Sequence, residues 1–167
     1  MCMEYMDIVD GNDQVIGSAP IDEIYEKKYL HRIAHIFIFN DKGEVALQLR
    51  SKEKSFCPLH WSTSVGGHVQ AGESYEVAAL RELTEELGIT TALEFLGNDF
   101  YPTPSGLNKF FGTFSAVHLG PFIVNPQEVE RVEFFSLDSI TPMIARGEKF
   151  NPELVFLLER YFKKARS

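Results

Sequence analysis

Between Gly67 and Ile89 the chain constrains its own local structure more tightly than anywhere else. Glu73 to Leu87 reads as one helix, with Gly88 a natural stop at its C-terminal end and Ala79, Leu80, Leu83 and Leu87 on one face. At ~100° per residue, Glu82, Glu85 and Glu86 fall within an arc of roughly 100° on an adjacent face. The helix can therefore pack on a sheet while it presents its glutamates at an edge. Like charges three and four residues apart repel, so the pairs 82/85 and 82/86 each destabilise the bare helix by a few tenths of a kcal/mol, roughly. A bound cation reverses that sign.

Carboxylate and carbonyl oxygens suit Mg²⁺ or Mn²⁺ better than soft metals, and such an ion keeps positions for water and for substrate phosphate. That is the arrangement phosphoryl chemistry requires. Gly66-Gly67 follows the short, β-prone Trp61 to Val65 and is expected to end it; with no side chain, the backbone there can approach the glutamates and offer a carbonyl.

Elsewhere the patterning is that of strands and turns. Tyr5 to Val9 and Gln14 to Gly17 flank a turn at Asp10 to Asp13, which predicts an amino-terminal hairpin over about residues 5–20. Ile21 to Tyr29 has weak helical periodicity. His31 to Phe39 is rich in strand formers, and Glu44 to Arg50 alternates, with Val45, Leu47 and Leu49 on one side and Ala46, Gln48 and Arg50 on the other. The two predict an antiparallel core hairpin. Further strands are expected at 94–101, 110–119 and 131–135, and a last helix from Pro152 to about Lys164. Strands with helices between and after them predict one α+β domain over residues 1–167, a mixed sheet covered by helices.

Aromatic side chains near turns, Trp61, Tyr101, Phe110 and Phe111, are expected to fill the core rather than hold a ligand. Lys109 is read as an exposed lysine beside a loop.

Acidic residues outnumber basic ones, 24 to 16, and the formal charge is -8. Broad attraction to a nucleic acid polymer or an anionic membrane is excluded on that balance. A small anionic substrate is not, provided divalent cations stand between it and the carboxylates. Cys2 and Cys57 give no spacing for a disulfide framework or a zinc site. No apolar run approaches ~20 residues, and the first ten residues lack both a basic start and a long apolar stretch. A soluble, cytoplasmic protein is expected.

Read from Gly67, five residues lead to Glu73 and seven more to Arg81-Glu82-Leu83-Thr84-Glu85-Glu86-Leu87-Gly88-Ile89. Residues 67–89 thus resemble the Nudix box in every defined position, a specific match. The resemblance implies an α/β/α sandwich around a mixed sheet and a loop-helix-loop that holds Mg²⁺ or Mn²⁺. By position it assigns Glu82, Glu85 and Glu86 as metal ligands, with the Gly67 carbonyl beside them. Glu73 and Arg81 match the positions that pair to fix loop against helix. A further carboxylate ahead of a late strand is expected at Glu128, preferred over Glu130, and Glu85 and Glu128 are the candidates for the base. The activity implied is metal-dependent cleavage of a phosphoanhydride in a nucleoside diphosphate derivative or similar small organic diphosphate.

Leu30-His31-Arg32, Phe37 to Asn40 and Trp61 to His68 extend the likeness over about residues 5–140, to the Nudix branch that includes type 1 isopentenyl-diphosphate isomerases. Those isomerases need a cysteine immediately before the Gly-His pair, where this chain has Gly66, and they generally depart from the box that this chain keeps. The resemblance therefore favours hydrolysis, with isomerisation and non-catalytic nucleotide binding as the alternatives. His31 and His68 match isomerase positions that bind a second metal; ordinary hydrogen-bonding histidines at strand ends are the preferred reading. The branch also allows a homodimer, to which the amino-terminal hairpin would contribute.

Overall fold

The computed structural model describes residues 3–162; Cys2 and the end of the last helix expected at Lys163 and Lys164 lie outside them. Strands β1 (Tyr5–Val9) and β2 (Val15–Pro20) form the expected hairpin. The Asp10 carboxylate closes its turn by accepting the backbone N–H groups of Asn12 and Gln14. Helix α1 (Ile21–Lys27) follows, and its Ile24 is buried with Met6 and Ala19.

The remaining strands form one seven-stranded sheet built on β3 (His31–Phe39). Along one edge, β3 runs parallel to β8 (Lys109–Val117) for its full length, from His31 opposite Lys109 to Phe39 opposite Val117. Along the other it meets β4 (Val45–Arg50) only at Ile38 and Phe39, and β6 (Val65–His68) takes over from Ile33 to Ile36. The expected hairpin of 31–39 with 44–50 thus exists only at its closed end; beyond that the two strands diverge and the glycine strand fills the gap. Strands β5 (Trp61–Ser62) and β9 (Val129–Phe135) add to β4, and β7 (Glu94–Tyr101) adds to β8, all antiparallel. The sheet is mixed.

Alternation along β3 decides the layers. Ala34, Ile36 and Ile38 point to one face, against Ala78, Ala79, Leu83 and Leu87 of α2 (Tyr75–Leu87). Ile33 and Phe37 point to the other, against Ile140 and Met143 of α3 (Leu137–Ala145) and Leu154 and Leu157 of α4 (Pro152–Tyr161). At roughly 1.5–3 kcal/mol per fully buried large aliphatic side chain, these two clusters are what hold helix to sheet on each side. The result is the α/β/α sandwich expected from the sequence. Among the described residues no helix is long and apolar enough to cross a membrane.

Three local expectations are corrected. The box helix begins at Tyr75, not Glu73, because Ser74 caps it by accepting from the Val77 N–H and leaves Glu73 free for another task. Gly66 and Gly67 lie inside a strand instead of ending one. Helix α3 has no counterpart in the sequence reading, since Pro142 inside it interrupts the helical pattern; buried Ile140 and Met143 hold it in place.

Candidate metal and diphosphate site

The loop before α2 is fixed by one guanidinium. Arg81 donates from Nε and Nη2 to the two oxygens of Glu73, both at 2.8 Å, so the expected pair forms and is bidentate. Arg81 Nη2 also donates to the His68 carbonyl at 3.0 Å, and Glu73 Oε1 accepts the Gln70 N–H at 2.7 Å. Helix, loop and glycine strand are therefore tied at one point.

Asp13, which the sequence presents only as a turn residue, ties the amino-terminal hairpin to the same assembly. Its carboxylate accepts from Arg32 Nε at 2.7 Å and from the Tyr75 hydroxyl at 2.8 Å, and the Arg32 guanidinium lies over the Tyr75 ring. Gly72 N–H donates to Asp7, and Ala71 N–H to the Tyr5 carbonyl. The hairpin is a brace for the box loop. A buried apolar signal would not have revealed this, because the contacts are polar and 19 to 66 residues apart in sequence.

Within the acidic face the three glutamates differ. Glu86 is 3% exposed, and its carboxyl is held well above the ordinary range by burial and by the charge of Glu82, to which it is hydrogen-bonded. Glu82 is itself raised by burial, against the lowering effect of Glu86 and Arg81. Gln48 Nε2 donates to Glu86 Oε1 at 2.7 Å and to the Ser64 carbonyl at 3.0 Å, so the inward polar residue of β4 orients the buried acid. Glu85 has a side chain 53% exposed and reaches Arg81 Nη1 at 3.3 Å, while Glu82 takes the same nitrogen at 2.8 Å. Among the described residues no group of three or more His, Cys, Asp or Glu side chains is set for a metal ion. Two carboxyls converge; the third stands at the rim.

Gly67 backs Glu82 closely. A Cβ on Gly67 would lie 2.3 Å from Glu82 Cδ, so only glycine lets that carboxyl rest on the strand. Glu128 lies near enough for its charge to contribute to the raised Glu86, and it accepts from Lys54 Nζ at 2.5 Å. Glu130 is exposed. The donor set fits a hard divalent cation: buried carboxyls crowded at an electrostatic cost, next to a bare backbone, are relieved by one positive charge.

The opposite face of β6 carries a second polar cluster. His31 is 0% exposed and its Nδ1 bonds the Tyr29 carbonyl at 2.9 Å. The His68 ring stacks on His31, centroids 5.7 Å apart, and its Nε2 meets the Tyr25 hydroxyl at 2.5 Å. Lys109 is not the exposed lysine expected from the sequence: it is 8% exposed, and Nζ donates to Glu153 Oε2 at 2.7 Å. It leads into the central strand pairing instead of the loop, and α4 supplies its counter-ion. His35 Nε2 meets the other Glu153 oxygen at 3.2 Å, and its Nδ1 bonds Thr63. Burial alone would push Glu153 up, but the bond to His35 and the charge of Lys109 outweigh it and hold the carboxyl down at about 2. Burial pushes His31 down to about 4 and His68 to about 3, so both rings are neutral near pH 7. The aromatic expectation holds for Trp61 and Phe111, which are buried, and for Tyr101, which stacks on Phe111, but not for Phe110, which lies outside the core clusters and meets the exposed Phe100 ring.

With this fold and this acid-lined glycine strand in view, comparison with known proteins is decisive as to class. The NUDIX domain profile matches residues 29–158. An uncharacterised Nudix hydrolase of Pseudomonas aeruginosa is 39% identical over 127 residues, 75% of each chain. The protein named isopentenyl-diphosphate Delta-isomerase 2 of Photorhabdus laumondii is 33% identical over 145 residues, covering 84% of this chain and 82% of that one. The crystal structure of DR0079 from Deinococcus radiodurans superposes with a TM-score of 0.85, covering 96% of this chain and all of that one at 28% identity. The chain belongs to the Nudix hydrolase family.

Proposed function

We propose that this chain hydrolyses a phosphoanhydride bond in a small organic diphosphate, with Mg²⁺ or Mn²⁺ held by Glu82, Glu86 and Glu85 beside the Gly67 carbonyl. The observation that carries the reading is the Glu82–Glu86 pair: two carboxyls buried side by side against the bare Gly67 backbone, both held above the ordinary carboxyl range. When bound, a divalent cation supplies neutralisation of phosphate oxygens and acidifies water. Arg81 holds Glu82 and Glu85 in reach and locks the loop through Glu73. Glu85 and Glu128, both partly open to solvent and ion-paired with Arg81 and Lys54, are the candidates for the base that takes a proton from attacking water. Residues 3–162 act as one unit in this reading, because the hairpin braces the box.

Isomerisation, the activity named for the Photorhabdus relative, has one specific obstacle here. Glycine stands where the isomerases carry their cysteine, and a Cβ at Gly66 would lie 3.0 Å from His35 Nδ1 and 3.3 Å from Thr63 Oγ1, so that buried hydrogen-bonded pair would have to give way by a few tenths of an ångström to admit one. Purified protein should release phosphate-bearing products from nucleoside diphosphate derivatives with Mg²⁺ or Mn²⁺, and Glu85→Gln should lose most of that rate. An unchanged rate in Glu85→Gln, or isomerised isopentenyl diphosphate as the main product, refutes the reading.

A further inference from the structure

On the face of β6 turned away from the acids, one buried atom lacks a partner, and its chemistry is defined. The His31 Nδ1 contacts a carbonyl, which can only accept, so Nδ1 carries the proton. The ring is neutral, which leaves Nε2 with a bare lone pair. That Nε2 is buried and accepts from nothing among the described residues. An unmet buried acceptor is destabilising, and this fold carries one here. Thr113 Oγ1 is the other such atom among the described residues, and the parallel register puts it on the same side, next to His35.

The surroundings already have their charges settled. Lys109 is neutralised by Glu153, and His68 and Tyr25 bond each other. What the cluster offers is a neutral acceptor, not a net charge. Tyr25, on α1, is 40% exposed, sits edge-on to both histidine rings and bonds His68, so it is the wall between them and solvent.

The cluster is one residue from the proposed chemistry. Successive residues of β6 alternate faces: Gly67 rests on Glu82, while its neighbours Gly66 and His68 face His35 and Tyr25. The His68 carbonyl is held by Arg81 of the box while its ring forms the cluster. Among the described strands β6 pairs with β3 alone, so its other edge is the route by which the organic half of a diphosphate bound at the acids would reach this face.

We infer that His31 Nε2, walled by Tyr25 and His68, is a specificity subsite for a hydrogen-bond donor, an O–H or N–H, on the organic half of the substrate. This rests on the proposed hydrolase reading and narrows it: the substrate carries a sugar or nucleoside, not a bare hydrocarbon. The donor group gives its hydrogen bond to His31 Nε2 and Tyr25 yields the space.

The test uses imidazole ¹⁵N NMR of the full chain titrated with nucleoside diphosphate sugars (ADP-ribose, UDP-glucose, GDP-mannose) and with isopentenyl diphosphate, whose organic half has no donor. At least one sugar nucleotide should shift the His31 Nε2 resonance upfield from the bare-lone-pair position, and isopentenyl diphosphate should not. In parallel, His31→Phe should reduce kcat/KM for the sugar nucleotide about tenfold, the loss of one hydrogen bond, and leave any alkyl diphosphate rate within about twofold. Tyr25→Phe, which keeps the ring, should alter the same selectivity should His31→Phe fail to fold. Hydrolysis of the panel with no shift at His31 removes the subsite and leaves the hydrolase standing. A shift without hydrolysis keeps the subsite and removes the hydrolase. No shift with any probe at millimolar concentration overturns the subsite.

Discussion

The two faces of the glycine strand solve opposite electrostatic problems within one residue of each other. On the α2 side, Glu82 and Glu86 are buried together, with Arg81 shared among three glutamates. On the α4 side, Glu153 is buried as deeply but has Lys109 and His35 on its two oxygens, and its carboxyl is lowered where that of Glu86 is raised. Burial raises both acids; only the partners differ. On the proposed reading, the well-paired carboxyl is structural and the crowded one is kept for a cation that arrives from outside.

The comparison breaks first at catalysis. Glu86→Gln should reduce hydrolysis more than about a hundredfold by removing ligand charge, measured as kcat/KM with Mn²⁺. The same variant should melt no lower than wild type without metal, because it removes a repulsive partner and keeps the Gln48 contact possible. A much lower melting temperature would mean Glu86 is structural. Glu153→Gln should do the reverse: stability falls by about 3 kcal/mol in urea unfolding, since Lys109 is left buried with no anion. Equal stability would show the pair to be dispensable.

Acid should separate the two sides as well. His31 titrates near 4 in the folded chain against an ordinary 6.5. Between those values the unfolded chain takes up a proton that the folded chain refuses, so stability is full above about 6.5 and falls as pH drops toward 4, by a few kcal/mol at most. Glu86 acts with the opposite slope, its raised value favouring the folded chain as pH falls. Urea unfolding at pH 7.5 and 5 should therefore show a smaller acid loss in His31→Gln and a larger one in Glu86→Gln. Identical pH slopes in all three proteins would refute the assignment of those groups. The smallest effect is expected at the brace: Asp13→Ala should lower stability by about 1–2 kcal/mol through Arg32 and Tyr75, and loosen the box loop in amide exchange.

What the sequence disclosed follows range. The box helix, its acids, the Glu73–Arg81 pair and the strand alternation of Val45 to Leu49 repeat at short spacing, and periodicity reads short spacing well. The Lys109–Glu153 pair spans 44 residues, and each member looked ordinary alone: one a loop lysine, the other an acid in a first helical turn. Asp13 looked like a turn residue and is a hub. Gly66 and Gly67 looked like a stop and form the wall between two clusters, a role set by what packs on each side of them.

Calorimetric titration of Mn²⁺ into wild type, Glu86→Gln and Glu153→Gln tests the central claim most directly. Binding should weaken at least about tenfold in Glu86→Gln and stay within about threefold of wild type in folded Glu153→Gln. Equal affinity in wild type and Glu86→Gln would contradict it.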